Sequence, residues 1–195
     1  MKVVIASGNR HKVEEIRTIL AAPGREFLCM ADFPSLPEVV EDGVTFSENA
    51  LKKARAIAEA TGLWALGDDS GLEVDALGGA PGVFSARYAG THGDDAANIV
   101  KLLAELGGRA DRGAQFHCAL ALVAPDGRHW EVSGICRGVI VAACRGTGGF
   151  GYDPLFVPDG HERTFAELSA SEKNAISHRF RALSALNAVM KGIET

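Results

Sequence analysis

Long apolar runs are missing from this 195-residue sequence; none approaches the roughly 20 residues that a membrane-crossing helix needs. Lys2 and the four apolar residues after it are too short a stretch for a secretory signal, so an exported chain is not expected. Cysteine is scarce. Cys29, Cys118, Cys136 and Cys144 form no C-x-x-C pair, which excludes zinc-ribbon and thioredoxin-type sites. Buried thiols in a reducing cytosol are the expectation for all four, and with them a cytoplasmic location. The histidines are scattered, and no H-E-x-x-H occurs. Aromatic residues make up only 7%, and 25 acids against 20 bases give a net charge of −5. That balance argues against nucleic-acid polymers and membrane surfaces as partners. A small phosphorylated ligand stays open, because a local cation cluster or a metal overrides the average. There is no internal repeat, no low-complexity tract and no linker.

What remains is the composition of a globular chain: 47% hydrophobic, rich in glycine, and long enough for one domain over 1–195 with a sizeable core. KVVIA at 2–6 reads as a short buried strand, with SGN directly after it. Val13, Ile16, Ile19 and Leu20 then recur at helical spacing, which makes a strand–turn–helix opening. Residues 26–30 read as a second strand. Residues 32–45, with Pro34, Pro37 and Gly43, read as loop. Thr45-Phe-Ser-Glu48 is a capping box that starts a helix through about Thr61, ended by Gly62. Leu63–Leu66 reads as a short strand with GDDSG at its end. Residues 76–93 form a glycine-rich loop, and a third helix runs from about Asp94 to Leu106. The stretches 115–124 and 129–142 flank Pro125-Asp126-Gly127, a hairpin signal. Ser169-Ala-Ser-Glu172 is a second capping box and opens a last helix carrying Ile176, Phe180, Leu183, Leu186 and Met190. Helices alternate with strands early and a hairpin sits late, so the fold class is α/β with a mixed sheet.

Several segments carry side chains suited to chemistry. Ser7-Gly8-Asn9-Arg10-His11-Lys12 lies between a strand and a helix. N–H groups at a helix start attract anions, Gly8 lets the backbone approach, and Lys12 adds a full charge. A plain strand–helix turn is the alternative. The segment is neither a Walker loop nor a dinucleotide turn, so motor-type ATPase and nicotinamide readings are poor. Asp68-Asp69-Ser70-Gly71 places two carboxylates in a glycine-bounded turn at a strand end. That suits Mg²⁺, which takes hard oxygens and often only one or two carboxylates beside phosphates; an Asx-type turn with solvated acids reads equally well. Glu41 and Asp42 either add a ligand or form a solvated acidic loop. Phe150-Gly151-Tyr152-Asp153 offers aromatic faces for stacking on a base and a carboxylate to accept from a base N–H; a packed turn is the alternative. Lys173, Ser177, His178 and Arg179 offer cations for phosphates or base carbonyls, or else a solvated basic face. At about 100° per residue, Lys173 and Ser177 share a face while His178 and Arg179 point elsewhere. A site using all four must wrap the helix start, or the helix must begin late. Together these pieces make a nucleotide-phosphate site.

Five blocks in order resemble the inosine triphosphate pyrophosphatase family, over nearly the whole chain. They are SGNRHK at 7–12, TFSENALKKA at 45–54, GDDSGLEVDALGGAPGVFSARYAG at 67–90, GTGGFGYDPLF at 146–156 and AELSASEKNAISHR at 166–179. The resemblance implies a twisted mixed sheet with flanking helices, in two lobes around a central nucleotide cleft. It implies Mg²⁺-dependent hydrolysis of ITP, dITP and XTP to the monophosphate and pyrophosphate, which clears deaminated purines from the nucleotide pool. It implies a homodimer. Asp69 would be the general base and a magnesium ligand, Glu41 the other metal-binding acid, and Asp68 a support beside them. Ser7, Gly8, Asn9, Arg10, His11, Lys12 and Lys53 would hold phosphates, with Ser70 nearby. Phe150, Gly151, Tyr152, Asp153, Lys173, His178 and Arg179 would bind the nucleotide, chiefly its base end. One carboxylate does not easily serve as tight ligand and free base at once, so the double role implies that Asp69 orients a metal-bound water. Discrimination is expected at the purine six-position, where hypoxanthine and xanthine carry an oxygen and adenine an amino group. A Maf-like pyrophosphatase, a non-catalytic nucleotide sensor and a single-strand RNA-binding module are the rival readings; the net acidity and few aromatics count against the last.

Overall fold

The structure is a computed structural model that describes residues 1–33 and 35–194; Pro34, in the expected loop, and Thr195 lie outside the described residues. The chain divides into two compact units, matching in number the two lobes that the resemblance implies. The first comprises Met1–Asp69, Cys118–Gly134 and Arg179–Thr195, and the second Ser70–His117 and Ile135–His178.

In the first unit, β1 (Lys2–Ala6) buries four consecutive apolar residues, the pattern of a strand covered on both faces. It pairs in parallel with β2 (Glu26–Cys29), and α1 (Arg10–Leu20) makes the crossover between them. Asn9 caps α1 by accepting from the His11 and Lys12 N–H groups. The α1 stripe Val13, Ile16 and Leu20 meets Leu183, Leu186 and Met190 of α5 (His178–Glu194) in one core with Val3, Ile5 and Leu120. α2 (Phe46–Thr61) starts at Thr45, whose hydroxyl accepts from the Glu48 N–H. The expected capping box is only half made: the Glu48 carboxylate accepts from Val44 N–H at 2.8 Å. Gly62 ends the helix in the left-handed region, φ 66°, as an αL cap.

β3 (Trp64–Val74) corrects the sequence reading. The expected short strand is eleven residues long and runs straight through GDDSG, which is no turn. Gly67 is the reason. A Cβ there would stand 2.0 Å from the Ala50 carbonyl oxygen of α2, so the bare backbone lets the strand lie against the helix. Alanine at 67 is expected to cost about 1–3 kcal/mol through overpacking, because a backbone carbonyl cannot swing aside. A fall in the urea midpoint with unchanged slope would show it.

In the second unit, α3 (Asp95–Leu106) and the aromatic cluster of Phe116, Phe156 and Phe165 build the core with Leu72, Leu102 and Ile140. The expected hairpin exists as β4 (Gly113–Val123) and β5 (His129–Ile140), closed where Ala124 N–H donates to Arg128 O at 2.8 Å. β5 pairs antiparallel with β6 (Phe156–Pro158). The strand order is β2-β1-β3-β4-β5-β6, with β1 and β3 parallel, so the sheet is mixed as expected. The 76–93 segment is not plain loop: it carries short 3-10 turns at Asp75–Leu77 and Gly82–Arg87.

The expected last helix is two helices. α4 (Ala170–Ile176) has the full capping box, with Ser169 and Glu172 satisfying each other's backbone N–H. Ser177 is extended, with ψ 157°, and ends it; α5 begins at His178. Serine favours a helix start over a helix interior, a signal that the apolar stripe overrode in the sequence reading. Among the described residues the cysteines form no disulfide. Cys118 and Cys136 are buried, Cys29 is intermediate and Cys144 exposed, so the expected burial holds for two of the four. Among the described residues no helix is long and apolar enough to cross a membrane.

Candidate active site

The expected site residues form one set in each unit. In the first, β3 brings Asp68 and Asp69 side by side, and strand alternation sends them to opposite partners. Asp68 is fully buried. Its Oδ1 accepts from Lys12 Nζ at 2.5 Å and its Oδ2 from Arg179 Nε at 2.8 Å. Arg179, 1% exposed, also donates from Nη1 to Glu15 at 2.6 Å. Lys12 and Glu15 stand one turn apart on α1, so four charges of alternating sign, Lys12, Asp68, Arg179 and Glu15, close on one helix. Burial pushes the Asp68 carboxyl up, but the two cations outweigh it and hold the group well below the usual carboxylate range.

Asp69 has the opposite balance. Its Oδ2 accepts from Asn49 Nδ2 at 3.0 Å and its Oδ1 lies 3.4 Å from Lys53 Nζ. Burial raises its carboxyl, helped by the nearby Glu41, and the cations only partly offset this. Lys53 also reaches Glu41 Oε2 at 2.8 Å. Burial works against its charge, yet Asp69 and Glu41 together raise its pKa and keep it an ammonium. Burial likewise pushes Glu41 up, but Lys53 prevails and lowers it.

Glu41 and Asp69 therefore aim hard oxygens at one cation, here an ammonium. That donor set fits a divalent metal whose other ligands are phosphates and water. Among the described residues no three His, Cys, Asp or Glu side chains gather as a protein-only metal cage.

Ser7 Oγ accepts from Asn9 N–H at 3.2 Å, while Gly8, Arg10 and His11 are exposed at the head of α1. The cap by Asn9 occupies the His11 and Lys12 amides at 3.0 and 3.3 Å, so an anion reaching them must displace a side chain. Ser70 is half-buried on β3.

In the second unit, Asp153 is 2% exposed and organises its own loop. Its Oδ2 accepts from Phe150 N–H at 2.9 Å and from Lys173 Nζ at 2.5 Å. Lys173 lies 4.8 Å from the Phe150 ring centre, a cation over a π-face. Gly151 N–H donates to the Asp95 carboxylate at 2.7 Å, and the Tyr152 hydroxyl donates to Ser85 O at 2.9 Å. His178 stacks on Phe116 at 4.8 Å. Lys173, His178 and the Phe150–Asp153 loop thus belong to one unit, whereas Arg179 is engaged with Asp68 in the other. The division between the units falls between His178 and Arg179, neighbours at the start of α5.

Two residues escaped the sequence reading. Asn49 falls on the buried stripe of α2 with Phe46, Ala50 and Ala54, and its Oδ1 also accepts from Gly43 N–H at 2.8 Å. A polar residue on an apolar stripe was the available signal. Glu15 gave none, because its partner lies 164 positions away.

The sequence pattern of the Ham1 family matches residues 3–189. A dITP/XTP pyrophosphatase of Streptomyces coelicolor is 55% identical over 194 residues, covering 97% of each chain. A Ham1 protein of Coxiella burnetii has a similar solved structure, with TM-score 0.91 and 45% identity over 98% of this chain and 99% of that one. The Staphylococcus aureus Ham1 protein gives 0.90 at 41% identity, over the same shares.

Proposed function

The chain belongs to the Ham1 family, and from that premise we propose that it is a nucleoside triphosphate pyrophosphatase acting on the deaminated purine nucleotides ITP, dITP and XTP. The observation that carries the mechanism is the convergence of Glu41 and Asp69 on one cation position. Water adds to a phosphorus flanking the α–β bridge, the bridging P–O bond breaks, and the monophosphate and pyrophosphate separate. Such chemistry asks chiefly for positioning and charge neutralisation.

Glu41 and Asp69 would hold Mg²⁺, which supplies positive charge against the phosphates when bound. Asp69, positioned by Asn49 and with its carboxyl raised, orients the attacking water and receives its proton. Lys12 and Lys53 are each held by carboxylates and turn to the phosphates when these arrive. Ser7 to His11 and Ser70 contribute hydrogen bonds there. Phe150 to Asp153, Lys173 and His178 receive the base. Arg179, expected at the base end, acts by holding Asp68. The family resemblance supports a cytoplasmic homodimer.

Pyrophosphate release from ITP, dITP, XTP, GTP and ATP, with Mg²⁺ and with chelator, tests the reading. Metal-dependent release from the first three alone, leaving the monophosphate, is expected. Single-phosphate release would move the cut to the β–γ bond, and no release from any would point to a sensor.

A further inference from the structure

The glycine-rich segment 76–93 is the longest motif that the proposed chemistry leaves without a task. It folds back onto β3: Gly79 N–H donates to Val74 O at 3.0 Å, and Val74 N–H donates to Ala80 O at 3.1 Å. The 3-10 turn that follows contains Ser85, whose side chain is buried. Its Oγ accepts from Leu72 N–H at 2.9 Å and donates to Gly82 O at 2.6 Å. Its backbone carbonyl accepts the Tyr152 hydroxyl at 2.9 Å, and Tyr152 is itself only 4% exposed. A buried phenol needs a partner, so the place of this carbonyl decides where Tyr152 settles.

We infer that Ser85 is a positioning residue: its hydroxyl pins the 82–87 turn to β3, and its carbonyl, through Tyr152, sets the place of the Phe150–Asp153 loop. The inference rests on the reading of that loop as the base-binding segment. The loop's other ties have different tasks. Asp153 accepting from Phe150 N–H shapes the turn internally, and Asp95 accepting from Gly151 N–H joins it to α3. The Ser85–Tyr152 bond joins it to the strap on β3. Removing the Ser85 hydroxyl loosens the turn that presents the carbonyl. Removing the Tyr152 hydroxyl deletes the other end of the same tie. Both changes therefore act on one quantity, the position of the loop, and neither touches the acids that carry the reaction.

The test compares Ser85→Ala, Tyr152→Phe and the double variant, each read for kcat and KM with ITP and for hydrogen exchange at the Phe150 and Gly151 amides. Ser85→Ala is expected to raise KM about fivefold, the worth of roughly one hydrogen bond, with kcat nearly unchanged, and Tyr152→Phe, at a residue of the base-binding loop itself, to raise KM at least as much. The double variant is expected to match the larger single effect, because both break one tie. Ser85→Thr keeps the hydroxyl and is expected to restore KM, which a loss of general stability would not do. An unchanged KM in Tyr152→Phe, or single effects that multiply in the double variant, would overturn the inference. Where Ser85→Ala does not fold, Tyr152→Phe carries the same expectations. Absence of pyrophosphate release by the unaltered chain would defeat the functional reading, and exchange then decides the positioning role. Faster exchange at Phe150 and Gly151 in the variants upholds it, and unchanged exchange refutes it.

Discussion

Asp69→Asn is expected to lower kcat for ITP hydrolysis by about two to four orders of magnitude, the usual worth of a general base, while leaving the fold as stable as before. Asparagine keeps the shape and the hydrogen bond to Asn49, whose amide can turn to suit it. Lys53 keeps Glu41 as its counter-charge at 2.8 Å. The stability argument has a definite sign. The Asp69 carboxyl is raised in the folded chain, chiefly by burial, so folding disfavours its ionised form. A neutral side chain removes that cost, and the thermal midpoint of the variant should equal or exceed that of the parent. Loss of activity with retained stability is the mark of a group kept for its chemistry. Pyrophosphate release under Mg²⁺ and a calorimetric scan check both halves. Near-normal kcat in the variant would remove Asp69 from the reaction, and a large fall in midpoint would make it a structural acid instead.

The elements with strong local signals were legible in the sequence. Thr45 and Gly62 bound α2 as read, and Asp94, the observed N-cap, begins α3 within a residue of its expected start. GDDSG has a genuine local preference for a turn, yet it lies inside β3. Gly67 lying on α2, and four side chains satisfying Asp68 and Asp69, override it, and none of those partners is near in sequence. The apolar stripe of the last helical stretch continues across Ser177, and only the cap preference of serine marks the break between α4 and α5. The site residues were legible as residue types but not as partnerships. That Lys53 joins Glu41 to Asp69, or that Arg179 joins Asp68 to Glu15, depends on long-range packing that no spacing encodes. Asp153 shows the same limit: read as a base acceptor, it already accepts from Phe150 N–H and Lys173 within its own unit.

Arg179→Met is expected to destabilise the chain by about 3–5 kcal/mol, because it strands a buried carboxylate rather than removing a pair. At this chain length that is a fall of roughly 10 °C in the thermal midpoint. Asp68 would keep Lys12, at 2.5 Å, as its cation, and Glu15 would lose its guanidinium. Activity should change in a particular way. With Arg179 present, Asp68 is neutralised twice and Lys12 is free to turn to a phosphate. Without it, Lys12 becomes the sole counter-charge of a buried acid, so KM for the triphosphate should rise more than kcat falls. Lysine at 179 is expected to recover only part of the loss, because one ammonium does not reproduce a fork that reaches Asp68 and Glu15 at once. The pH dependence separates this account from a simple packing defect. In the parent, the Asp68 carboxyl is held well below its ordinary value of 3.8. A depressed carboxyl contributes stability that is fully present above that ordinary value and is lost as pH falls through the folded one. Arg179→Met removes the larger of the two attractions that depress it, so the gap in stability between parent and variant should narrow as the solution is acidified below pH 3.8. Unfolding curves taken from neutral pH downward measure that gap directly. A gap that stays constant across the range would mean that Arg179 matters for its volume, and that Asp68 does not depend on it for its charge.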